Sequence, residues 1–109
     1  MALTRDFRQS VVERVDKDPK FARAMLDEAA TLFLNGEPEI ARIILRDLVN
    51  ATFGFEELAQ LTEKPSKSLH RMLSANGNPS MDNLAAIFGA VSGKMKVGLE
   101  AHAVDAHRA

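Results

Sequence analysis

Apolar residues in this chain recur at helical spacing, and a Pro or a Gly interrupts each run before it grows long. Positions three and four apart share one face of a helix, so such runs read as short amphipathic helices. Phe7, Val11, Val12 and Val15 form the first stripe, with Thr4 as its N-cap. Asp18-Pro19 closes that run and opens the next. The residue before Pro is pushed out of the α region, while Asp caps a helix and Pro suits its first position. Phe21, Met25, Leu26, Ala29, Leu32 and Phe33 make the second stripe, ended by Asn35-Gly36. Pro38 starts a third helix with Ile40, Ile43, Ile44, Leu48 and Val49 inward, and Arg42, Arg46 and Asp47 pointing elsewhere. Its wide apolar arc places it centrally in the core.

Phe53-Gly54 ends that helix, and a short fourth one runs from about Phe55 to Thr62 with Leu58, Ala59 and Leu61 inward. Glu63–Pro65 makes a turn. A fifth helix spans about Ser66 to Ser74, with Leu69, Met72 and Leu73 inward. The turn residues of "ANGNPS" form a loop. Ser80 caps a sixth helix that carries Leu84, Ile87, Phe88 and Val91 and stops near Gly93. The expected fold is therefore all-α, with five to six helices. Only "KVGLEAHAV" departs from the pattern, with Val97, Leu99, Ala101 and Ala103 alternating as in a strand. A lone strand is unstable, so it would pair with its own copy or with another protein. A frayed terminus accounts for the same residues equally well. Three parts follow: an N-terminal helical extension at 1–36, a helical domain at 37–95, and a tail at 96–109 that includes the possible short pairing strand.

A length of 109 residues fits one domain with a real core. Hydrophobic residues at 46% and charged residues at 27% exclude a disordered chain. With six Phe and no Trp or Tyr, the core must be mainly aliphatic. The absence of Cys rules out disulfides, thiolate metal sites and Cys nucleophiles. No apolar run approaches the roughly 18 residues of a membrane span. The opening "MALTRDFRQS" carries charges where a signal peptide needs an apolar stretch, so a cytoplasmic location is expected. Net charge is −1, with 14 basic against 15 acidic residues. That balance counts mildly against nucleic-acid binding, although affinity for phosphates depends on where the positive charges sit.

The fourth and fifth helices, joined by a short turn and packed on neighbours before and after, have the form of a DNA-reading helix-turn-helix. That form makes demands on its residues. The first helix must approach the second closely, which needs a small residue such as Ala59. The second needs apolar anchors inside, supplied by Leu69, Met72 and Leu73. Its outer face must offer donors to bases and phosphates, and Ser66, Lys67, Ser68, His70 and Arg71 supply them. Arg can hold guanine O6 and N7 with two bonds, so Lys67 and Arg71 are the candidate base readers. Ser66 is a candidate cap and phosphate contact, and Lys64 in the turn a candidate phosphate contact. His70 lies beside the apolar face, where it either packs or reads. In "NGNP", Asn76 and Asn78 are candidate phosphate ligands near a helix N-terminus. Arg42 and Arg46, one turn apart, either add charge to this face or belong to a solvated one.

The stretch "LAQLTEKPSKSLHRMLSANGNPSMDNLAAIFGAV" resembles the helix-turn-helix of addiction-module antidote proteins. These are antitoxins and transcriptional regulators of the lambda-repressor-like (Xre) superfamily, akin to the HigA branch. The matching residues are Ala59, then Ser66 and Leu69, then Leu73-Ser74, then Gly77-Asn78-Pro79, then Leu84, Ile87 and Phe88. The resemblance covers about Arg42 to Val91. Glu63 stands in the turn where the superfamily favours Gly, with Lys64 where an apolar residue is usual. Phe55 or Glu56 stands where many relatives place Gln. The resemblance implies a lambda-repressor-like domain that binds an inverted-repeat operator in double-stranded DNA as a homodimer. It also implies repression of the chain's own operon and a partner toxin, a small RelE-like ribonuclease.

The alternative is a helical protein-interaction module that keeps the fold without DNA binding. The acidic balance and Glu63 favour it. An enzyme has no support: there is no nucleophile elbow and no phosphate-cradling Gly loop. His102 and His107 flank Asp105, but a metal site needs more ligands held rigidly. No cofactor is expected.

Overall fold

A computed structural model describes residues 19–106. Among them are five helices: α1 (Pro19–Leu34), α2 (Pro38–Ala51), α3 (Gly54–Thr62), α4 (Ser66–Met72) and α5 (Met81–Met95). The expected helix with Phe7, Val11, Val12 and Val15, its Thr4 cap, the Asp18 cap and His107 lie outside the described residues. No described helix is long and apolar enough to cross a membrane.

Local chemistry explains most of the helix ends. Gly36 takes a φ of 81° after α1, and the N–H groups of Gly36 and Glu37 donate back to Phe33 O and Leu32 O. Two carbonyls that the helix leaves open are thereby satisfied, in a conformation that costs Gly little. Pro38 occupies the first turn of α2, where its missing N–H removes nothing. Ser80 caps α5, its hydroxyl accepting from the Asn83 N–H at 3.1 Å.

One core joins all five helices. Leu26 and Ala29 of α1 lie in the same cluster as Leu45, Leu48 and Val49 of α2, and Phe55 and Leu58 of α3. Leu69 and Leu73, at and just past α4, and Ile87 and Val91 of α5 complete it. The described part of the segment before residue 37, α1, is thus built into the interior. The Phe33 and Phe88 rings meet edge to face at 5.8 Å, tying α1 to α5. Each fully buried Leu or Ile contributes about 1.5–3 kcal/mol, so this cluster outweighs the sparse surface ion pairs.

Four side chains depart from the expected facing. Ile40 is 51% exposed and Leu61 47% exposed, while Arg42 and Asp47 are buried. The buried face of α2 is Ala41, Leu45, Leu48 and Val49, and Ile40 lies about 100° round from Ala41 in the first turn. Leu61 lies about as far from the centre of the Phe55, Leu58 and Thr62 stripe. Residues 96–106 of the single chain contain no strand, and 98–106 are exposed. The described residues offer the expected pairing strand no partner, and a strand is not stable alone.

Candidate nucleic-acid interface

A three-residue connection, Glu63–Pro65, turns the chain from α3 into α4. Glu63 adopts the left-handed conformation (φ 57°, ψ 38°), and the Lys64 N–H donates to Ala59 O at 3.2 Å. The left-handed geometry that glycine takes most readily is here filled by a glutamate. Pro65 is extended (φ −62°, ψ 139°) and holds the N-cap position, its carbonyl accepting from Leu69 N–H at 3.1 Å. Ser66 therefore does not cap α4. It is already the first helical residue, and the helix has no side-chain cap.

Leu69 and Leu73 are fully buried beneath α4, with Met72 packed beside them. Anchoring this side forces Lys67, His70 and Arg71 outward, and all three are exposed. Lys67 and Arg71, four apart, share one helix face. Ser66 and Ser68 are half-buried at its margins, and Arg71 Nη2 reaches Ser68 Oγ at 3.5 Å. The His70 ring stacks on Phe55, with centroids 4.0 Å apart and planes 22° apart. One ring face is covered by that stack while the residue stays exposed, so His70 both packs and faces solvent.

The loop after α4 is held by a residue expected to point elsewhere. Arg42 is 7% exposed. Its Nε donates to Ser74 O at 3.0 Å and its Nη2 to Ala75 O at 2.8 Å. It adds nothing to a solvated or DNA-facing surface: it is a clamp between α2 and the exit of α4. Its place beside Ala41 and Leu45 on the buried face hints at burial, but nothing in the sequence names the carbonyls it holds. Gly77 completes the join. A Cβ there would lie 2.2 Å from Met72 O and 2.6 Å from Arg71 O, so only glycine lets the loop come this close. Asn76 and Asn78 flank Gly77 and are exposed. They stand at the C-terminal end of α4, while Lys64 and Ser66 stand at its start, about 10 Å away along a seven-residue helix.

Of the acidic residues that open α3, Glu57 is neutralised by an ion pair with Lys94 of α5. Lys94 also sits 6.0 Å from the centre of the Phe53 ring. Glu56 and Glu63 remain exposed. Phe55 is buried and takes no part in the outer surface. Arg46 lies 3.5 Å from Asp47. No group of three or more His, Asp or Glu that could hold a metal occurs among the described residues. No protein-family model matches the chain, and neither does any curated protein or solved structure.

Proposed function

We propose that the chain is a sequence-specific DNA-binding transcriptional regulator. The observation that carries this reading is the outer face of α4. Lys67, His70 and Arg71 are displayed together on a short helix whose other side is sunk in the core. A recognition helix needs such a side, because base edges in the major groove are read by long donors on a rigid support. Lys64, Ser66 and Ser68 at one end, and Asn76 and Asn78 at the other, offer phosphate contacts at both ends of α4. Two copies related by a two-fold axis would read an inverted repeat. The resemblance to addiction-module antidotes extends the proposal to an antitoxin that represses its own operon and masks a RelE-like toxin.

A gel shift with DNA from upstream of the chain's own gene tests this directly. The expected result is a discrete complex at low salt whose affinity falls steeply as salt rises. No complex with any such fragment at low salt would reject DNA binding. It would favour the second reading, a helical protein-interaction module, which the exposed Glu56 and Glu63 at the edge of this face support.

A further inference from the structure

The segment after α5 is fixed at its root and unpaired beyond it. Lys96 caps α5 with a φ of 60°, and Val97 N–H donates to Ser92 O at 3.0 Å. Past that bond, no backbone N–H or carbonyl of residues 98–106 has a hydrogen-bond partner among the described residues, and all nine are exposed. The segment still follows the body of the protein: Leu99 and Ala101 share a groove with Phe33 and Leu34 of α1 and Met81 of α5. Glu100 and His102 touch at 3.2 Å. Side chains two apart meet in this way on one side of an extended chain.

We infer that residues 98–104 are the surface through which two copies of this chain associate, pairing antiparallel about a two-fold axis at Ala101. An exposed row of unpaired backbone groups is a template for another strand. The sequence about Ala101 is self-complementary, as a two-fold interface requires. In this register Glu100 stands opposite the partner's His102, and Leu99 stands opposite the partner's Ala103. Shifting the axis to Glu100 or to His102 sets like side chains against each other, which is unfavourable for the carboxylates. The surroundings favour a copy as occupant. Leu34 (66% exposed), Met81 (73%) and Leu99 (40%) border the groove, and Val104 (82%) lies on the segment itself. A second strand laid beside the first covers part of this apolar surface. The inference supplies the two-fold axis that the DNA reading needs, but it rests on this segment alone and is tested without DNA.

The chain has no Cys, so single cysteines report directly on the axis. Opposed residues in an antiparallel pair have Cα atoms about 4.5–5.5 Å apart, within disulfide reach. Full-length Ala101→Cys under mild oxidation should run mostly as a covalent dimer on non-reducing gels. Glu100→Cys and His102→Cys should cross-link several-fold less, and the remote exposed Gln60→Cys should stay monomeric. In sedimentation, Glu100→Lys should weaken the dimer by about tenfold. Glu100→Lys with His102→Glu should restore it. A parent chain that is monomeric up to ~100 µM, equal cross-linking at the three positions, or no effect of Glu100→Lys overturns the inference. A monomer that still shifts promoter DNA would reject this interface and keep the regulator; a dimer that shifts none would do the reverse.

Discussion

Replacing Arg42 tests the central joint of the molecule. Its guanidinium donates to Ser74 O and Ala75 O at 3.0 and 2.8 Å, and the residue is 7% exposed. A hydrogen bond from a charged donor contributes about 1.5–3 kcal/mol net, so the pair would be worth about 3–6 kcal/mol if both carbonyls were sealed. They are not: Ala75 is exposed and Ser74 half-buried, so water can replace part of each bond. Arg42→Met keeps most of the apolar stem and removes both donors, and should cost about 2–4 kcal/mol. Arg46→Met, at a half-buried site with one 3.5 Å contact to its neighbour Asp47, should cost less than about 1 kcal/mol. With no Trp or Tyr in the chain, urea unfolding is best followed by circular dichroism. Amide exchange locates the effect: the Ser74 and Gly77 N–H groups, bonded to Arg71 O and Ser74 O, should lose protection first in Arg42→Met. A loss below about 0.5 kcal/mol, or equal losses for the two variants, would refute the clamp.

Other substitutions probe the site and its supports. Gly77→Ala drives a Cβ into the carbonyls of Arg71 and Met72, and should cost about 1–3 kcal/mol in the same urea assay. Glu63→Gly relieves the left-handed turn residue and should raise stability by about 0.5–1 kcal/mol, read as a higher midpoint at unchanged slope. Ser80→Ala removes the cap of α5 and should cost about 1 kcal/mol, with exchange rising first at Asn83 N–H. On operator DNA, Arg71→Ala should weaken binding by about 1–3 kcal/mol and blur base preference. Lys64→Ala should weaken binding to every sequence alike and flatten the salt dependence, as titrations at several salt concentrations would show.

What the sequence revealed and what it hid divide along a physical line. Helix ends were legible because their causes are local: Gly36, Pro38 and Ser80 each act within a turn of where they stand. The inner faces of α4 and α5 were legible too, since Leu69, Leu73, Ile87 and Val91 follow helical spacing. Arg42 was not, because its role depends on carbonyls 32 and 33 residues away, which no periodicity encodes. Ile40 and Leu61 have the hydrophobicity of core residues, and only the packed arrangement shows that the described residues leave each about half exposed. The Ser66 cap failed by one residue, since Pro65 takes the extended position and leaves Ser66 inside the helix. The Glu57–Lys94 pair needs α5 brought beside α3 and has no signature in either helix alone.

The edge-to-face contact of Phe33 with Phe88 has a consequence for synthesis. The α1–α2 hairpin can form as soon as it leaves the ribosome, but the ring that covers Phe33 is still to be made. Phe88 follows the end of α2 by 37 residues, so at about 5–20 residues per second it emerges roughly 2–7 s later. During that interval the nascent hairpin shows Phe33 to its surroundings. A chaperone that binds short apolar segments would find its window there, and the window closes when α5 emerges.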